Sequence, residues 1–174
     1  MRTPPFDGLW TRGSATAAFC GCEARSGWVK AIRQKPRQGQ LIVIERTGER
    51  HKLPADSVWG YQTYRGVIYR LYGHNEYEVM QRAPLVIYRT EEWAGDAVWE
   101  YHYFSLSADD AIYPLAKKTC RQVFRRDECM LDLLKHLRDR HLTDTDEQGS
   151  YGLANAYQHC HSVPFSARSR SDKP

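Results

Sequence analysis

The sequence predicts an α+β fold, an antiparallel β-meander of about seven or eight short strands curled into a roll or partial barrel and followed by two or three C-terminal helices. Three observations predict it. Between residues 29 and 105, β-branched and aromatic runs are separated by short polar turns. Within "VWGYQTYRGVIYRLYGHNEYEV" the apolar residues recur at every second position, the period of a strand. Past residue 110 that period gives way to helical spacing, most clearly in "DECMLDLLKHLRDRHL". A chain of 174 residues that is 41% hydrophobic and 12% aromatic supplies one ordinary core. The expected organisation is one α+β domain over residues 26–161. Residues 1–25, rich in Gly, Ala, Pro and Ser without a period, read as a poorly ordered lead, and residues 162–174 as a disordered basic tail.

Strands begin near "GWVKAI". The polar turn "RQKPRQGQ" leads to "LIVIE" (41–45), and "RTGERHKL" reads as a Thr-Gly hairpin into a short strand that Pro54 and Asp56 close. In the aromatic stretch that follows, Trp59, Tyr61, Val67, Tyr69, Leu71, Tyr77 and Val79 are all odd-numbered, so one register gathers them on a single apolar face. Three-residue loops at 63–65 and 73–75 would pair Tyr61 with Val67, Trp59 with Tyr69, Leu71 with Tyr77 and Tyr69 with Val79, and set Arg70 against Glu78. Ile68, Arg70, Tyr72, Glu76, Glu78 and Met80 would then face outward. The sheet continues through "PLVIYRTEE", the turn "WAGD" and "AVWEYHYFSLS". A helix with Leu115, Thr119, Gln122 and Val123 on its spacing follows Pro114, a residue suited to a first turn. The next helix has Asp127 and Glu128 at its start, Arg138, Arg140 and His141 at its end, and Met130, Leu133, Leu134 and Leu137 on one face. A third, shorter helix is expected at "YGLANAYQHCH".

The order "VWGYQTYRGVIYRLY…YEVM…VIYR", then "YHYFSLSADDAIYPLAKKTCRQVF", then "LLKHL", is similar to a family of small bacterial β-rich proteins of uncharacterised function. In that family a Tyr-Gly-Tyr-type strand leads to a Tyr-Phe-Ser segment, a Pro-Leu helix start and a Leu-rich final helix. The resemblance spans residues 40–157 and contains no catalytic motif. It implies a fold and no activity. Many of its members look exported, whereas this chain shows no apolar leader: Pro4, Pro5, Asp7, Gly8, Arg12 and Gly13 interrupt every candidate window. The chain as written reads as cytoplasmic, and as exported if its start is misassigned or a leader is missing.

The formal charge of +4 is distributed unevenly. Ten Lys and Arg stand against four Asp and Glu in residues 1–55, four against nine in 56–110, and eleven against eight in 111–174. No run approaches the ~20 apolar residues of a membrane span. Five cysteines without the density of a secreted framework read as free thiols in a reducing compartment, with Cys120 and Cys129 packing as small hydrophobes. Cys20, Cys22, His159, Cys160 and His161 are zinc-ligand types, but Cys-x-Cys and His-x-His lack knuckle spacing, so no metal or cofactor is assigned. There is no Gly-x-Ser-x-Gly elbow and no phosphate-cradling glycine loop. His102, Ser105, Ser107, Asp109 and Asp110 include triad types, yet His102 and Ser105 differ in parity and point to opposite faces. No catalytic residue is assigned.

The reading that remains is a non-enzymatic interaction or ligand-binding module. Its partner, a protein or small ligand, would meet a sheet edge or a tyrosine-rimmed mouth through Tyr61, Tyr64, Arg65, Tyr72 and His74. The alternative is a polyanion or nucleic-acid binder using Lys30, Arg33, Lys35 and Arg37. Nucleic acid is not favoured, because rings and arginines fall on opposite faces of the strands. A hydrolase whose site residues are distant in sequence is the third reading. The oligomeric state is not readable from the sequence.

Overall fold

The computed structural model describes residues 6–11, 24–26, 29–35, 39–45, 47–63 and 66–162. Its strands are β1 (Phe6–Thr11), β2 (Ala24–Ser26), β3 (Val29–Lys35), β4 (Gln40–Glu45), β5 (Arg50–Pro54), β6 (Val58–Thr63), β7 (Ile68–Tyr72), β8 (Asn75–Gln81), β9 (Val86–Ala94), β10 (Ala97–Ser105) and β11 (Tyr113–Pro114). The helices are α1 (Lys117–Val123), α2 (Glu128–His136), α3 (Asp139–Thr143) and α4 (Gly152–His161). All strand pairs are antiparallel. One curled sheet has the order β11-β10-β9-β8-β7-β6-β1-β2, and β3-β4-β5 form a second, smaller one. The predicted α+β meander with C-terminal helices is therefore the observed architecture. Within the stretch read as a poorly ordered lead, residues 1–25, lie β1, which pairs with β6, and the start of β2, which pairs with β1. Tyr64, Arg65, Arg37, Cys20, Cys22 and the 163–174 tail lie outside the described residues.

The register differs from the predicted one at both hairpins, and the reason is turn chemistry. Gln62 pairs with Ile68 and Tyr61 with Tyr69, which leaves a five-residue loop closed by Thr63 N–H to Val67 C=O at 2.8 Å. The next connection is the two-residue turn Gly73–His74, flanked by the pair Tyr72–Asn75. Both turn residues have positive φ, 56° and 70°, as a type I′ turn requires. Arg70 consequently opposes Gly60 and Tyr77 instead of Glu78.

Strand parity is also broken at bulges, one of which redirects the core. Trp10 pairs with Gly60 but Thr11 with Val58, so Trp59 is the extra residue of a bulge. Val58 and Tyr61 therefore pack together with Ile32, Leu41, Val43 and Leu71 under the small sheet, while Trp59 packs with Ile68 on the other side. Gly60 fits only as glycine: a Cβ there would stand 2.1 Å from the Tyr69 carbonyl.

The expectation of one wet face fails because both faces of the large sheet are covered. The small sheet covers the Tyr61–Leu71 side. On the reverse, the segment after β10 lays Ala108 and Ile112 over Trp59, Ile68, Tyr77, Val79 and Tyr88. Ile68 and Arg70, assigned outward by parity, are 5% and 0% exposed.

The helices pack on the ends of β9 and β10 through Leu85, Ile87, Phe104, Cys120, Met130, Leu134, Leu142 and Leu153. Each fully buried side chain of this size contributes about 1.5–3 kcal/mol. Pro114 opens no helix; it ends β11, and α1 starts after Ala116. Asp127 caps α2, accepting from Met130 N–H at 3.0 Å. The single long helix read from the Leu spacing is two, separated at Leu137, whose extended backbone lets α3 turn away. Cys129 of α2 and Cys160 of α4 form a disulfide with a Cα–Cα distance of 5.8 Å. This corrects the expectation of free thiols and of Cys129 as a packed hydrophobe. Cys120 stays a buried thiol, its pKa pushed up to about 12 by burial and by Asp139. No helix among the described residues is long and apolar enough to cross a membrane.

Candidate functional site

The β8–β9 ladder is short. It runs from Gln81–Ile87 to Glu78–Arg89 and records no pair beyond. β9 continues for five more residues, Thr90 to Ala94, paired among the described residues only with β10. The two strands form an arm that turns at Gly95, where φ is +63°. Every residue from Glu91 to Tyr101 is exposed, although the arm carries Trp93 (74%), Trp99 (58%), Val98 (42%) and Tyr101 (43%). Alternation distributes them: Trp93 and Val98 are cross-strand partners on one face, as are Glu91 and Glu100, while Trp99 and Tyr101 take the other.

Where β8 and β9 part, a groove of about 580 Å³ opens. Tyr69, His74, Asn75, Glu76 and Glu78 line one side, and Arg89, Thr90, Glu91 and Trp93 the other. Its charge is dominated by carboxylates. Arg89 Nη2 meets Glu78 at 2.8 Å and Glu91 at 3.5 Å, and Nη1 meets Glu100 at 3.2 Å. One guanidinium among three carboxylates leaves an excess of negative charge, and Glu76 adds to it. The hydrogen bonds that Arg89 donates to Glu78 are the largest influence raising its pKa, so Arg89 stays a fixed cation. Burial, and then Glu76, which accepts from its hydroxyl, push the Tyr61 phenol up; burial, then Glu78, do the same for Tyr69.

A second polar cluster lies on the opposite side of the sheet, fully enclosed. Arg70 Nη1 donates to the Tyr88 hydroxyl at 2.7 Å and lies 3.4 Å from Ser105 Oγ, and Nη2 donates to the Asp110 carbonyl at 2.6 Å. The guanidinium carbon stands 5.7, 5.3 and 5.6 Å from the rings of Trp59, Tyr72 and Tyr88. Trp59 Nε1 donates to Ala108 C=O at 2.8 Å. Arg70 Nε has no partner, and Arg70 takes part in no ion pair among the described residues. Three aromatic faces, two hydroxyls and the Asp110 carbonyl stand in for a counterion. This cluster ties the segment after β10 to the sheet and offers no opening to a ligand, so its role is structural.

Of the residues expected to make contacts, His74 lines the groove, Tyr61 is buried beneath it against Glu76, and Tyr72 is half-buried beside Arg70. Arg33 is exposed on the outer face of the small sheet; the side chains of Lys30 and Lys35 lie outside the described residues. Cys160 is held by Cys129 and His161 faces Asp127 at 3.0 Å. Among the described residues no group of three or more His, Cys, Asp or Glu could hold a metal. His102 packs on the Tyr151 ring beneath the helices while Ser105 belongs to the Arg70 cluster, so the two do not meet. The residues missed from sequence are Glu91, Trp93, Trp99 and Glu100. Their signal is in "TEEWAGDAVWEY", which holds four acids and two Trp without one base.

Comparison with protein-family models, with curated proteins and with solved structures yields no match in any of the three.

Proposed function

We propose that this protein is an interaction module that receives a partner on the β9–β10 arm and in the groove at its base. One observation carries the reading: eleven consecutive residues, Glu91 to Tyr101, are exposed while holding two Trp, a Tyr and a Val. Rings this exposed contribute little to folding, and a two-stranded ribbon is marginal alone. Exposed apolar patches of this kind mark surfaces that a partner covers. Trp and Tyr are also the side chains that concentrate binding energy at interfaces.

The test is a random-peptide selection on the full chain with counter-selection on the variant Trp93→Ser/Trp99→Ser. Ligands that survive counter-selection and lose binding on the variant support the reading. A selection whose ligands all bind both proteins equally sinks it.

A second reading has its own observation. Arg33 and Lys52 flank Ile42 across β3-β4-β5, and Arg50 stands beside Ile44, all three bases exposed on the outward face. Such a row suits a polyanion. Its test is the salt slope of binding to a single-stranded oligonucleotide, which should be about −2 for three phosphate contacts and vanish in Arg33→Glu/Lys52→Glu.

A further inference from the structure

We infer that the occupant of the groove is an extended basic polypeptide segment that adds to β9 as a strand, with Lys or Arg at every second position. This rests on the interaction-module reading and names its partner's chemistry.

The backbone argues for an extended strand. β9 runs on past Arg89 without β8, so the edge from Thr90 to Ala94 faces the groove with no ladder partner on that side among the described residues. Five residues of edge present about 17 Å of main chain ready to pair. Strand addition to such an edge takes its affinity from main-chain hydrogen bonds and its selectivity from alternate side chains.

The side chains argue for basic residues. An added strand points every second residue to the face that carries Glu78, Glu91 and Trp93, where carboxylates outnumber the one guanidinium of Arg89. The arm beyond it, residues 90–101, holds Glu91, Glu92, Asp96 and Glu100 and no Lys, Arg or His. An acidic segment would meet like charge along the whole path. A cation lying between Glu91 and the open face of Trp93 gains from both the carboxylate and the ring. The groove and the arm therefore select one sign of partner, and the parted ladder selects its conformation.

The experiment titrates full-length protein with three short peptides of one pattern, Lys alternating with Val, Ser with Val, and Glu with Val, following Trp fluorescence at low and high salt. A fourth probe is the Lys–Val peptide with alternate amides N-methylated, which keeps the charge and removes strand pairing. The expected result is Lys–Val binding about tenfold or more tighter than Ser–Val, weakened by salt, lost on N-methylation, and lost in Glu91→Gln/Trp93→Ala. Glu91 and Trp93 are exposed, so that variant should fold, which its circular dichroism checks. Equal binding of the N-methylated peptide overturns the strand and leaves only charge attraction. Tighter binding of Ser–Val or Glu–Val at the same residues overturns the basic partner while the module reading stands. Self-association that Glu91→Gln/Trp93→Ala abolishes overturns it in favour of a second copy. If no peptide binds and the selection above also returns nothing dependent on the arm, both fall together.

Discussion

Arg70 shows how a polar residue becomes a structural centre when its surroundings satisfy it. Its head group is fully buried and bonded to Tyr88, Ser105 and the Asp110 carbonyl inside three rings. Truncation would open a cavity and strip the Asp110 carbonyl and the Tyr88 hydroxyl of a donor. Arg70→Ala should cost about 3–5 kcal/mol in urea unfolding. Arg70→Met fills most of the space and removes the buried charge, so it should cost clearly less, about 1–2 kcal/mol. Equal losses would mean that the guanidinium's bonds, and not its volume, hold the site. His102 is half-buried against the Tyr151 ring. Burial lowers its pKa below 6.5, Arg89 adds to the effect and Glu100 opposes it. The unfolded chain then binds a proton more readily than the folded one. Stability from this group is complete above the unfolded value and falls as pH drops through 6.5 toward the depressed folded value. Melting temperatures from pH 8 to 5.5 should decline less in His102→Gln than in the parent; parallel curves would contradict this.

The elements were legible in the sequence where a single strand or helix signal decided them, and illegible where two elements had to be compared. Strand positions from "LIVIE" through "AVWEYHYFSLS" follow from β-branched and aromatic runs bounded by turns. Their register did not follow, because a Gly-His pair makes a two-residue I′ turn as readily as part of a three-residue loop, and a bulge at Trp59 changes parity without changing composition. The disulfide was hidden for a similar reason. Cys129 and Cys160 are 31 residues apart on two helices whose packing no local pattern states. Closing a loop of that length stabilises by roughly 3–4 kcal/mol in the chain-entropy description. Reduction, or Cys129→Ser/Cys160→Ser, should lower the melting temperature by about 10 °C. Thiol labelling of the unfolded, unreduced chain should leave both cysteines unmodified. Labelling of both would show that the chain is held reduced where it is made.

At the scale of the whole molecule, alternation says which residues share a face and is silent on whether anything covers that face. Parity therefore faces Arg70 outward, where the segment after β10 encloses it, and carries the sheet on through Trp99 and Tyr101, which stand exposed on the β9–β10 arm. The groove is half visible in the sequence: His74, an expected contact, lines it, but Glu91 and Trp93 carry no such signal, because an acidic aromatic hairpin resembles an ordinary strand pair until its burial is known. The same contrast divides the molecule into a body that is packed on both sheet faces and an arm packed on neither. Since residues 91–100 are all exposed, removing them should leave the body's stability nearly unchanged. A variant that removes 91–100 and joins Thr90 to its cross-strand partner Tyr101 through a Gly-Asn turn keeps the β9–β10 register and should melt within about 2 °C of the parent, the change expected for surface substitutions far from the core. It should also lose the red-shifted emission of Trp93 and Trp99 while Trp59, fully buried, keeps its blue component. A fall of much more than that would mean the arm packs against the body, and the exposed rings would then belong to folding instead of to a partner.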